Sequence, residues 1–246
     1  MAKKIDEKNN QRQEFFFSKK VGKALFDYQM LEDGDKILVA VSGGKDSLSL
    51  LKILQYRQKF SPLKYSLTAV HVDLGYKCVH PKILGNYFKQ CGVDYEAVSI
   101  NILKDCKSRK DITCFWCSWN RRKALFEAAA RLKCTKVAFG HHKDDIAETI
   151  LLNMFFNGEI SGMNPKQVLF KGALTIIRPL AYVEEKEIIA FAKHQDFPAH
   201  MCKCPNADKT KRQEVTKIIK RLEKFCPNVR TNICRSIKRV KTDYTL

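Results

Sequence analysis

Residues 36–41, Lys-Ile-Leu-Val-Ala-Val, run straight into Ser42-Gly43-Gly44-Lys45-Asp46-Ser47 and then into a stretch, 48–56, with helical periodicity. A run this short, apolar and β-branched, bounded by glycine-containing turns, reads as a buried strand. The same alternation recurs downstream. Strands are expected at 66–72, 95–100, 136–139 and 174–177, and helices at 81–91, 119–132, 144–157 and 184–194, with 107–117 as a loop. Strands alternating with helices predict a parallel sheet covered on both faces. The expected fold is therefore α/β: a doubly wound, mostly parallel sheet with basic helical extensions at both ends. The expected organisation is an N-terminal extension (1–35), a nucleotide-binding domain (36–200) and a cysteine-containing basic tail packed on it (201–246). With 246 residues and 45% hydrophobic content, one such domain can bury a substantial core.

The loop at 42–47 can cradle phosphates. Gly43 and Gly44 let the backbone approach closely, the following helix N-terminus offers free N–H groups, and Ser42, Ser47 and Lys45 add donors. The Walker pattern and the dinucleotide glycine pattern are both absent. The hexapeptide resembles the PP-loop of the N-type ATP pyrophosphatases, which cut ATP between its α and β phosphates. That resemblance implies ATP and adenylyl transfer without naming the acceptor.

Charge and cysteines point to the acceptor. Lys and Arg number 45 against 26 Asp and Glu, a formal net charge of +19, which favours a polyanionic partner such as RNA over generic solubility. No apolar stretch is long enough for a membrane span and no signal core opens the chain, so the expected compartment is the cytoplasm. Ten cysteines there suggest metal binding or catalysis before disulfides. Cys114-Phe115-Trp116-Cys117 brings two thiolates to one centre, with Cys202 and Cys204 as further candidates. Spacing alone leaves zinc, iron–sulfur and a redox dithiol all open. Phe115, Trp116 and Trp119 can pack in the core, shield a cluster or stack on a base. Cys78, Cys91, Cys106, Cys134, Cys226 and Cys234 read as small buried hydrophobes.

Gly140-His141-His142-Lys143-Asp144-Asp145 ends one strand and starts a helix. Its two carboxylates can hold Mg2+ against phosphates, or can simply cap the helix. His71 and Asp73 end the second strand, where they can contact adenine or ribose or form a structural pair. Arg121 and Arg122 can neutralise an adenylate or bind an RNA backbone. In the tail, Lys217, Lys220, Arg221, Lys224, Arg235, Lys238 and Arg239 recur at roughly helical spacing, as an RNA surface or a solvated cationic face.

The phosphate loop, Cys114-x-x-Cys117, the 140–145 motif, Leu152-Asn153-Met154-Phe155-Phe156 and Ile177-Arg178-Pro179-Leu180-Ala181-Tyr182 stand in the order seen in the tRNA 2-thiocytidine biosynthesis family. The resemblance covers about 21–240 and implies a PP-loop domain with a [4Fe-4S] cluster on three cysteines. Cys114 and Cys117 would be two ligands and Cys204 the third, with Cys202 as the alternative because Phe197-Pro198 is followed by a shortened Cys-x-Cys. The implied sites are Ser42, Gly43, Gly44, Lys45, Asp46, Ser47, His71, Asp73 and Gly140 for ATP, and Asp145, Asp144, Lys45 and Arg121 for catalysis with Mg2+. The implied activity is ATP-dependent thiolation at C2 of an anticodon-loop cytidine, position 32 in the family. Uridine thiolation and a PP-loop ligase such as tRNA lysidine synthase are the alternatives. The implied partners are tRNA and a donor of cysteine-desulfurase-derived sulfide, with a homodimer as the assembly to test.

Overall fold

The computed structural model describes residues 2–75, 81–102, 113–198, 211–241 and 243. Its centre is a six-stranded sheet in the order β3-β2-β1-β4-β6-β5. The strands are β1 (Asp35–Ala40), β2 (Tyr65–Asp73), β3 (Asp94–Ser99), β4 (Lys136–Ala138), β5 (Lys166–Leu169) and β6 (Leu174–Ile177). All neighbours are parallel except β5, which pairs antiparallel with β6 at the edge.

Burial on both faces explains why β1 is central. Ile37, Leu38 and Val39 are all sealed from solvent, so alternate side chains feed two separate cores. Ile37 and Val39 pack with α2 (Lys45–Gln58), α3 (Pro81–Gln90), α6 (Glu185–Ala192) and the second half of α1 (Ala2–Asp27), through Leu48, Leu51, Leu84, Phe88, Phe191, Phe17 and Val21. Leu38 faces the other way, with Val70, Val72 and Val137, onto Ala124, Leu125, Ala128 and Ala129 of α4 (Cys114–Arg131). The ring stack of Phe17 on Phe191, centroids 4.5 Å apart, and the Lys20–Glu187 pair at 2.7 Å tie α1 to α6.

The basic tail is broken into two helices, α7 (Lys211–Glu223) and α8 (Val229–Ser236), with Pro227 in the turn between them. Val215 and Ile219 of α7 and Ile233 of α8 pack on Ala147, Leu151, Ile146 and Ile150 of α5 (Lys143–Asn157). Both tail helices are thus anchored on the helix that follows the 140–145 motif. The edge strand β5 was not anticipated from sequence.

At the end of the sheet away from the glycine loop, Lys136 Nζ sits 2.7 Å from Asp35 Oδ2, both side chains under a tenth exposed. Removing one partner of such a pair strands the other charge out of water. Lys136→Met is expected to lower stability by about 3 kcal/mol, read as a reduced urea midpoint at unchanged slope.

Candidate active site

The strand order reverses between β1 and β4, since β2 and β3 lie to one side and β6 and β5 to the other. In open α/β sheets ligands bind in the crevice at the carboxyl ends of the strands flanking such a reversal. Here those ends are Val41–Ser42 and Phe139–Gly140 by position, the two segments singled out from sequence.

The glycine loop is folded by its own hydroxyls. Ser47 Oγ donates to Gly44 O at 2.9 Å and accepts from Ser42 N at 3.1 Å, while Gly44 N donates to Ser42 Oγ at 3.3 Å. Gly43 takes φ +87°, the left-handed region where a Cβ is costly. Gly44 caps α2 with no side-chain hydrogen bond, so the first-turn N–H groups of the helix are left for a ligand. Lys45 Nζ meets Asp46 at 3.1 Å and Glu185 at 3.0 Å. Burial depresses its pKa, but the two carboxylates outweigh that and raise it, so the ammonium is held charged.

A cavity of about 340 Å³ opens beside this loop. Its wall takes Ser42, Asp46 and Ser47 from the loop, His71 and Asp73 from β2, Gly140, His141 and Asp145 from the second motif, and Arg121 and Leu125 from α4. The two loops touch: a Cβ on Gly140 would lie 3.0 Å from Ser47 N. His71 is buried, its Nδ1 2.8 Å from Val41 O, and Asp73 Oδ1 accepts from Gly75 N at 2.9 Å.

The two adjacent carboxylates are separated in role. Asp145 is on the cavity wall, and its Oδ2 also accepts from His142 N at 3.1 Å in a capping box. Asp144 is buried behind it, accepting from Glu185 N at 2.8 Å and facing Arg230 Nε at 2.7 Å. Burial raises the Asp144 pKa, but His142, the Glu185 N–H and Arg230 together carry it below the usual carboxylate range. Arg212 of α7 reaches Glu148 at 2.9 Å and Asp145 at 3.5 Å. The tail therefore sends Arg212 and Arg230 to the acidic motif, contacts that helical charge spacing did not reveal. Of the wall carboxylates, Asp46 Oδ1 is buried and accepts no hydrogen bond, its charge met by Lys45, which suits Asp46 and Asp145 to a cation.

His141 was not singled out from sequence as a functional residue. Its ring stacks on Phe139, centroids 5.5 Å apart, and its Nδ1 accepts from Arg178 Nε at 3.4 Å. Arg178 cannot accept a proton, so the neutral imidazole carries its hydrogen on Nε2. Burial, helped by Arg178, Arg212 and Arg122 against Asp145, pushes the His141 pKa down to about 4. The sequence signal was Arg178-Pro179 directly after a buried strand. His142 behaves oppositely: burial lowers its pKa, but Asp144, Asp145 and Asp46 prevail and raise it.

The sign for His141 follows from linkage. The unfolded histidine binds a proton near pH 6.5 and the folded one only near 4, so its contribution is present above 6.5 and is lost as pH falls towards 4. His141→Gln is expected to flatten the pH dependence of stability in that window relative to wild type, by at most about 1.4 kcal/mol per pH unit, in urea titrations at several pH values.

The cysteine pair opens α4. Thr113 caps it, its Oγ1 accepting from Trp116 N at 3.1 Å. Cys114, Cys117, Arg121 and Leu125 fall at helical spacing on one face, and the last two line the cavity. Cys117 is about 6 Å along the axis from Arg121 at 1.5 Å per residue. Cys114 is exposed and Cys117 half-buried against the second core. The pair thus offers two thiols on the face that leads into the cavity, which fits two corners of a cluster. Among the described residues no group of three His, Cys, Asp or Glu forms a metal site. Cys202 and Cys204, like Cys78 and Cys106, lie outside the described residues. Cys134 is buried, and Cys91, Cys226 and Cys234 are half-buried. Phe115, Trp116 and Trp119 are exposed, so core packing is not their role.

Among the described residues no helix is long and apolar enough to cross a membrane. The PP-loop domain family matches residues 14–221. The tRNA-cytidine(32) 2-sulfurtransferase of Geobacter sulfurreducens is 39% identical over 232 residues, covering 92% of this chain and 90% of that protein. The protein of the same name from Delftia acidovorans is 38% identical over 232 residues, covering 93% and 74%. Among solved structures, the U34-tRNA thiolase NcsA from Methanococcus maripaludis with its [4Fe-4S] cluster superposes with a TM-score of 0.78 at 25% identity, over 94% of this chain and 79% of that one. With a glycine loop and an acidic motif meeting at the strand reversal and a cysteine pair on the adjoining helix, the chain belongs to the PP-loop family and, within it, to the tRNA 2-thiocytidine biosynthesis proteins.

Proposed function

We propose that this chain is an ATP-dependent tRNA sulfurtransferase that replaces the C2 carbonyl oxygen of an anticodon-loop cytidine, position 32, with sulfur. The products are 2-thiocytidine, AMP and pyrophosphate. The observation that carries the reading is the α4 face on which Cys114 and Cys117 line up with Arg121, a residue of the cavity wall beside the phosphate loop.

A carbonyl oxygen is a poor leaving group and must first be activated. Ser42, Gly43, Gly44, Lys45, Asp46, Ser47 and Gly140 bind the ATP phosphates in this reading, with His71 and Asp73 towards the nucleoside. The cytidine O2 attacks the α-phosphorus and pyrophosphate leaves. Lys45 and Arg121 offset charge there, and His141 donates its Nε2 hydrogen without exchanging a proton near neutral pH. Asp46 and Asp145 would hold Mg2+, which would supply Lewis-acid neutralisation of phosphate charge. Asp144 positions Asp145 and α6 through its ion pair with Arg230 and the hydrogen bond it accepts from Glu185 N. A sulfur nucleophile then attacks C2, the C2–O bond breaks, and AMP departs with the oxygen.

Cys114 and Cys117 with Cys204, or Cys202 in its place, would hold the [4Fe-4S] cluster, which supplies sulfur-delivering chemistry at an iron without a cysteine ligand. The organisation into 1–35, 36–200 and 201–246, a cytoplasmic location, a desulfurase-derived sulfide donor and a homodimer complete the proposal. Purified holoenzyme given ATP, Mg2+, sulfide and unmodified tRNA is expected to form 2-thiocytidine, read by nucleoside mass spectrometry. Formation of 2-thiouridine would move the reading to uridine, as in the NcsA comparison, and no thiolated nucleoside would overturn it.

A further inference from the structure

Beside the cysteine face, α4 carries a second stripe. Phe115 and Trp119, one turn apart, stack with centroids 6.3 Å apart and planes 19° from parallel. They are 73% and 53% exposed, although rings of this size are normally buried for their large apolar area. Arg122 lies one turn further along the same stripe, roughly a third of a turn around the helix from Cys114, Cys117 and Arg121. Arg122 directly follows Arg121, which lines the cavity, so this end of the stripe lies beside the cavity wall. The exposed neighbours on α4 are Trp116, the least exposed of the three rings at 37%, and Ser118, Arg122 and Lys123, which are polar or cationic.

An apolar protein partner would meet a contiguous greasy surface. This surface instead offers two aligned π faces edged with positive charge, on a chain of net charge +19. That combination matches a nucleobase with its phosphate: bases stack on aromatic side chains whatever their identity, and guanidinium groups take the backbone. We infer that Phe115 and Trp119 form a stacking platform for an unpaired nucleobase of the tRNA substrate, with Arg122 on the adjoining phosphate, so that the loop is set against the cavity mouth. The inference rests on the tRNA thiolase reading above and adds which residues take the loop.

Filter binding of iron-loaded holoenzyme to an anticodon stem-loop RNA, and to a fully paired duplex of equal phosphate count, tests it. The Phe115→Ala/Trp119→Ala variant is expected to bind the stem-loop about ten-fold or more weakly and the duplex as wild type does. Trp119→Phe is expected to stay within about two-fold of wild type, since a ring remains. Phe115→Ala alone, at the more exposed ring, gives a smaller loss of the same kind if the double variant folds poorly. Unchanged stem-loop affinity overturns the platform, as does an equal loss on the duplex. Loss of cluster absorbance at unchanged stem-loop affinity also overturns it, by assigning the rings to shielding. Failure of the thiolase reading looks different: wild type would thiolate no tRNA, whatever the variants bind.

Discussion

Cys117→Ala is expected to abolish tRNA thiolation while leaving ATP and tRNA binding close to wild type. Cys117 is half-buried against the second core, one turn before Arg121 on the face that enters the cavity. Its thiol packs against that core, whereas Cys114, on the same helix, is exposed. Disturbing an outer partner of a metal ligand already costs about 10–100-fold in affinity or activity, so deleting a ligand is expected to lower product by more than about 100-fold. Nucleoside mass spectrometry reads the product, and the broad visible absorbance of thiolate-bound iron reads the cluster. Truncating one half-buried thiol leaves the fold cooperative, so the unfolding midpoint moves little. Wild-type amounts of 2-thiocytidine from Cys117→Ala would remove the pair from the reaction.

Gly140→Ala is expected to lower ATP affinity about ten-fold, the equivalent of the roughly 1–3 kcal/mol that overpacking costs. The new Cβ would lie 3.0 Å from Ser47 N and 3.1 Å from Asp46 C and Ser47 Cα. These are backbone atoms of the first turn of α2, so no side chain can rotate away. Relief requires pushing the phosphate loop from the acidic motif. Gly162→Ala is the control. Its Cβ would meet side-chain carbons, Ile150 Cγ1 at 2.8 Å and Ile237 Cδ1 at 3.1 Å, away from the loop. That variant should lose stability and keep ATP affinity, measured by calorimetric titration and urea unfolding. Equal ATP affinity in Gly140→Ala would mean that the two loops do not need their close approach.

Legibility differed by element for physical reasons. The strand β6 was read with its observed ends because Leu174 to Ile177 is buried on both faces and so apolar throughout. The edge strand β5 escaped because Lys-Gln-Val-Leu is short and half-polar, and only its pairing with β6 makes it a strand. Helix α4 was expected from residue 119, yet it begins at Cys114, where the Thr113 cap reaches Trp116 N.

Residue order alone determined the alternation of strands and helices, the phosphate loop and the cysteine pair, because each rests on local conformational preference or on spacing within a few residues. Tertiary structure alone decided the rest. It set the strand reversal that joins residues 42–47 to 140–145, the placing of Asp145 on the wall with Asp144 behind it, and the reach of Arg212 and Arg230 from the tail. It also fixed the His141 hydrogen through Arg178, 37 residues away in sequence. These features depend on contacts between segments far apart in the chain, whose partners are chosen by how the two cores pack against the sheet and not by any local pattern.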